Sequence, residues 1–115
     1  MAVRTEIVPS QIVVTGVAQP AQTTGIAEGH KFLNDGAVFV EAYNSSSGGA
    51  LVFTFQTPRT IRGLAVAERA VSVGALGTTL VGPFNIEDYN QSDGMVYLDY
   101  DVTSYALQKI RVCRL

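Results

Sequence analysis

The sequence predicts an all-β domain: a small antiparallel β-sandwich, jelly-roll-like, of about eight or nine short strands. Three observations predict it. Apolar and polar residues alternate with a period of two in several runs. Val38, Val40 and Ala42 alternate with Phe39, Glu41 and Tyr43, and Leu51, Phe53 and Phe55 with Val52, Thr54 and Gln56. Turn chemistry separates these runs at regular intervals, as at Asn34-Asp35-Gly36 and Asp93-Gly94. Finally, no segment sustains a helical period, and no internal repeat is visible.

Length and composition bound the reading. At 115 residues the prior is one domain. Residues 1–10 are expected to form an extended arm and residues 11–115 the sandwich. The 47% hydrophobic content is ample for a core, whereas charged residues make up only 16%, against a usual share of about 25%. Such a surface is polar through Ser, Thr, Asn, Gln and Gly, with room for an apolar part that a partner covers. Net charge is −2 and the only lysines are Lys31 and Lys109. With no basic stripe, nucleic-acid binding is not expected. The remaining cations are arginines, the side chain favoured in interfacial ion pairs because its planar fork bonds a carboxylate twice. Cys113 is the single cysteine, so no intrachain disulfide is expected, and a reducing compartment suits the chain. The apolar run Ile12-Val13-Val14 is too short for a signal peptide, and nothing approaches the roughly 20 apolar residues of a membrane span.

In order along the chain, residues 11–17 are β-branched and predict a first strand. Pro20 and Thr23-Thr24-Gly25 mark a loop. Residues 26–33 lead into Asn34-Asp35-Gly36, a hairpin signal, and residues 37–43 form the return strand, with Val38, Val40 and Ala42 on the core face. Residues 44–49 are a small polar loop. Leu51, Phe53 and Phe55 give a strand with an aromatic core face, and residues 60–66 another, ending at a bend at Glu68-Arg69.

The central stretch, residues 63–91, holds two apolar runs, 70–73 and 79–81, split by Gly74-Ala75-Leu76-Gly77. The two glycines there are expected to supply the positive φ of a tight reversal. Gly82-Pro83 stops the second run, since proline has no N–H for a ladder, and Asp88-Tyr89-Asn90-Gln91 makes a polar corner. Residues 95–101 form a strand with Val96, Leu98 and Tyr100 on one face and Tyr97, Asp99 and Asp101 on the other. Residues 103–107 hold a short helical turn. Residues 109–115 form the last strand, with Ile110 and Val112 inward and Arg111 outward.

Catalytic constellations are scarce. His30 is the only histidine, which excludes a multi-histidine metal site within one chain; it reads as a surface or edge residue, with no nucleophile motif near it. Asp99 and Asp101, sharing a strand face and joined by Glu87 and Asp88, are the candidate hard-oxygen set for calcium; salt bridges to Lys109 and Arg111 are the simpler reading. Tyr43, Tyr89, Tyr97 and Tyr100 are candidates for a sugar-stacking platform. No phosphate loop or dinucleotide fingerprint occurs, so no cofactor is expected. The chemistry points to a non-enzymatic β domain with a subunit-contact surface.

Several segments resemble a family of small structural proteins of tailed bacteriophages. They are Phe32-Leu33-Asn34-Asp35-Gly36, Gly63-Leu64-Ala65-Val66-Ala67-Glu68-Arg69, Val71-Ser72-Val73, Leu80-Val81-Gly82-Pro83-Phe84, Tyr89-Asn90-Gln91 and the closing Arg111-Val112-Cys113-Arg114-Leu115. Members are capsid decoration (cement) or minor head proteins. The resemblance implies a virion protein on the capsid surface, made in the host cytoplasm, whose partner is the major capsid protein and whose oligomer is a trimer at a shell symmetry point. The contact residues expected on this basis are Arg4, Glu6 and Ile7 in the arm, Phe39 and Tyr43 on one sheet face, and Arg69. A head–tail connector or tail component is the first alternative, a carbohydrate-binding module the second.

Overall fold

The computed structural model describes residues 4–13, 15–16, 22–57, 60–61, 64–65 and 68–115. Twelve strands run through them: β1 (Thr5–Ile7), β2 (Ser10–Gln11), β3 (Thr23–Thr24), β4 (His30–Leu33), β5 (Val38–Asn44), β6 (Leu51–Phe55), β7 (Thr60–Ile61), β8 (Leu64–Ala65), β9 (Arg69–Val73), β10 (Thr78–Val81), β11 (Met95–Asp99) and β12 (Gln108–Arg114). A one-turn helix α1 (Ile86–Tyr89) precedes β11, and a 3-10 turn at Tyr105–Leu107 precedes β12.

Two sheets pack face to face. One has the order β1-β4-β11-β6-β9; the other has β10-β5-β12-β2, with β3 also on β12. β7 and β8 pair as a small separate hairpin. The expected all-β sandwich is present. The inner faces follow the alternation that was read: Val38, Val40 and Ala42 from β5, Phe53 and Phe55 from β6, Val96 and Leu98 from β11, and Ile110 and Val112 from β12 are buried in one core. Each large side chain there contributes about 1.5–3 kcal/mol. Phe84 closes the core just past β10, its ring 5.0 Å from Phe55 and 5.6 Å from Phe32.

The sheets are not wholly antiparallel. β1 runs parallel to β4, and β2 parallel to β12. The described part of residues 1–10 thus lies on the domain and supplies an edge to each sheet. Ile7 packs against the core. Of the predicted strand over 11–17, Gln11 alone is in a strand; Ile12 and Val13 are exposed, and Val14 and Val17 lie outside the described residues.

Two expected hairpins are crossovers. β4 and β5 flank Asn34-Asp35-Gly36 but belong to opposite sheets, and so do β9 and β10 around Gly74–Gly77. Placed this way, Phe32 and Val38 both point into the core, each from its own sheet. Nor do the glycines supply positive φ between β9 and β10: Leu76 does, at φ 57°. Gly77 is needed for space, because its N–H donates to Gly74 O at 2.9 Å and a Cβ would sit 3.0 Å from that oxygen.

Other boundaries differ in detail. The bend expected at Glu68-Arg69 is the start of β9, and the strand over 60–66 is the β7–β8 pair, with Val66 outside the described residues. The polar corner is α1, capped by Asn85, whose Oδ1 accepts from the Glu87 N–H at 2.8 Å.

Candidate functional site

Buried polar side chains are the first place to look for chemistry, since each must be satisfied or used. Among the described residues four are buried: His30, Asn34, Asn44 and Gln108. From the sequence, His30 reads as a surface or edge residue. It is buried because β4 lies between β1 and β11 in the sheet, with Thr5 and Leu98 opposite it. Its Nδ1 is 2.6 Å from the Tyr100 hydroxyl, and the two rings meet edge to face. Burial holds the imidazole below its usual pKa and pushes the Tyr100 phenol far above its own, the nearby Asp99 adding to the latter. Both groups are therefore neutral near pH 7.

The three amides are structural ties. Asn44 Nδ2 donates to Gly49 O at 2.8 Å and Val73 O at 2.9 Å, while its Oδ1 accepts from the Ser46 N–H. Asn34 Nδ2 donates to Phe84 O and to Asn90 Oδ1. Gln108 Nε2 donates to Val52 O, and its Oε1 accepts from the Asp101 N–H. None was singled out from the sequence, where Asn34 and Asn44 read as turn and loop residues. No buried side-chain polar atom among the described residues lacks a partner.

The carboxylates do not gather. β11 ends at Asp99, so Asp101 lies beyond the strand and shares no face with it. Asp99 is bonded by Arg4 at 2.7 Å and by the Gln56 amide. Asp101 Oδ1 accepts from the Thr103 and Ser104 N–H groups, and these bonds hold its carboxyl below the usual range. Arg111 pairs with Glu41 at 2.5 Å, and Lys109 donates to Thr24 Oγ1. Among the described residues no group of three or more His, Cys, Asp or Glu is placed to hold a metal ion. The tyrosines are dispersed too. Tyr97 donates to Asp93 beneath the Arg4 guanidinium, which sits 4.7 Å from the ring centroid. Tyr89 packs on Phe84, Tyr100 on Phe53 and His30, and Tyr43 lies on the outer face of β5. They build no common platform.

The expected contact residues fall on three surfaces. Arg4, Glu6 and Ile7 lie at the β1 edge: Arg4 is tied to Asp99 and to Leu98 O, Glu6 is exposed, and Ile7 is turned into the core. Arg69 lies at the far edge of the same sheet, on β9. Phe39 and Tyr43 share the outer face of the other sheet.

That outer face is the most built of the three. Phe39, Glu41 and Tyr43 on β5 stand opposite Cys113, Arg111 and Lys109 on β12. Leu80 on β10, 67% exposed, stands opposite Glu41. One ion pair, Glu41–Arg111, is thus set among Phe39, Tyr43, Leu80 and Cys113. Burial raises the Cys113 thiol pKa, with Glu41 contributing, so this cysteine is held as the neutral thiol near pH 7. Beside the face, a groove of about 370 Å³ runs between the β9 and β10 edges, with Arg69 on its rim.

No helix among the described residues is long and apolar enough to cross a membrane. No family model matches the chain, and no curated protein and no solved structure is significantly similar to it.

Proposed function

We propose that the protein is a non-enzymatic virion component of a tailed bacteriophage that binds the outside of the capsid shell and reinforces it. The observation that carries the reading is the outer face around Glu41–Arg111. Phe39, Tyr43 and Leu80 offer aromatic and aliphatic area, and a fixed ion pair gives a docking shell subunit its register. Interface cores are enriched in such side chains and poor in isolated charge. The sequence resemblance and the low overall charge point the same way. In this reading the major capsid protein is the partner, and a trimer at a symmetry point of the shell is the oligomer.

The test is copy number. Particles are purified from a culture producing the protein, and the chain is quantified by mass spectrometry against the major capsid protein. A shell-wide binder gives a simple ratio to the shell subunit, and Tyr43→Ala combined with Leu80→Ser lowers occupancy while circular dichroism is unchanged. A ring's worth of copies per particle assigns the protein to the connector or tail. Absence from particles overturns both and brings a carbohydrate-binding role forward.

A further inference from the structure

β9 ends one sheet and β10 ends the other, and only residues 74–77 separate them in sequence. The groove between these edges is lined by Arg69 and Val71 from β9, Leu80 and Val81 from β10, and Pro83 and Tyr89 beyond it. Two features of this place stand out.

The first is the backbone of β10. It pairs with β5 on one side and with no described strand on the other. A free edge presents unpaired N–H and C=O groups, and proteins usually guard such an edge with a charge, a proline or a bulge. Thr78-Thr79-Leu80-Val81 has no charged residue and no proline, and Leu80 is exposed.

The second is the charge. Arg69 is exposed, and its contact is one bond of 3.4 Å from Nε to the Tyr89 hydroxyl. No described carboxylate pairs with it, whereas Arg4, Arg111 and Arg114 each have one. A guanidinium lining a groove of mixed polar and apolar walls selects a carboxylate, which it can bond in a fork.

We propose that this groove receives an extended, acidic peptide segment of a partner protein, which adds a strand to the β10 edge and sets an Asp or Glu side chain on Arg69. The backbone of β10 supplies the pairing, Leu80, Val81 and Pro83 take alternate side chains of the guest, and Arg69 fixes its register. This is strand addition, in which main-chain bonds give affinity and side-chain pockets give specificity. A second copy of this chain is the less favoured occupant, because a two-fold arrangement of the same edge sets a second Arg69 beside the first. The groove shares Leu80 with the outer face of the capsid reading, but the inference does not depend on that reading and needs no virus particle for its test.

Random twelve-residue peptides displayed on a carrier are selected on the intact protein, and the tightest binder is synthesised with a fluorophore. The expected peptide carries an Asp or Glu flanked by alternating β-branched or apolar residues. Its affinity falls about tenfold on Arg69→Gln and equally on neutralising its own carboxylate; Arg69→Glu with a lysine-substituted peptide restores binding. Amide shifts on binding map to residues 78–81. Arg69 is exposed, so these variants keep the wild-type circular dichroism spectrum. The proposal is overturned if no peptide is selected, if binders ignore the charge of residue 69, or if their shifts map elsewhere. Sedimentation showing that β10 is occupied by a second copy also overturns it.

Discussion

The Asn44 side-chain amide donates to the Val73 carbonyl oxygen at 2.9 Å, joining the end of β5 to the end of β9 and so one sheet to the other. Both residues are buried, so the bond is shielded from bulk solvent. Truncation to Asn44→Ala leaves Val73 O and the 45–49 loop without their partner. Each buried group left unpaired costs about 1–3 kcal/mol. The urea midpoint of Asn44→Ala falls accordingly, while Asn44→Asp, which loses both donated bonds and adds a buried charge, falls further.

Gly82 has φ +130°, and a Cβ there would stand 2.9 Å from Val38 O and 3.0 Å from Phe39 Cα. The neighbouring atoms are backbone, so they cannot swing away. Gly82→Ala therefore combines conformational strain, about 1–3 kcal/mol, with displacement of the β5 start. A lowered melting temperature is expected, together with weaker binding on the outer face that carries Phe39.

His30 gives the fold a pH dependence whose sign can be worked out. Its folded pKa lies below the ordinary value of 6.5 because burial disfavours the imidazolium. Above 6.5 both folded and unfolded chains hold it neutral, and stability is at its full value. As pH falls below 6.5 the unfolded chain takes up a proton that the folded chain refuses, so stability drops until the folded pKa is reached. The slope is at most about 1.4 kcal/mol per pH unit for one group. His30 is the single histidine. Unfolding titrations between pH 7 and 5 are expected to show the loss in the wild type and to lose it in His30→Gln, whatever that variant costs at pH 7.

Deleting residues 1–10 is expected to weaken the domain itself. It removes the parallel partner of β4, the Ile7 contact with the core and the Arg4 bonds to Asp99 and Leu98 O. Several backbone hydrogen bonds at about 0.5–1.5 kcal/mol each put the loss near 2–4 kcal/mol. The sequence reading, which sets residues 1–10 as an extended arm beside a sandwich of residues 11–115, implies instead that the fold survives intact. Urea midpoints of the full and shortened chains separate the two expectations.

The strands were legible because alternation is a local property: Val38, Val40 and Ala42 announce a core face without reference to any partner. The partners were not legible. Asn34-Asp35-Gly36 reports that the chain turns, and the hydrogen bonds of Asn34 to Phe84 and Asn90, fifty or more positions away, decide that it turns across the sandwich. His30 was misread for a related reason. Gly29 and Lys31 flank it like an edge residue, and its burial comes from β1, a segment with no strand pattern of its own. Of the contact residues, Phe39 and Tyr43 were placed on a shared face by the period of two, whereas Leu80 was missed because only the β5–β10 register brings it alongside.

The crossovers also bear on how the chain reaches this state. Neither β4 nor β10 meets its neighbour in sequence; Phe32 waits for Val96, and Val40 for Val112. Such a topology has high contact order, and loop-closure entropy must be spent before distant pairings return anything. Within the two large sheets, the pair β6 and β9, linked through the short β7–β8 hairpin, is the most local contact among the described strands, which makes it the natural nucleus. Refolding is accordingly expected in milliseconds to seconds, and during that interval the uncharged β10 edge is exposed to every other unfolded copy present.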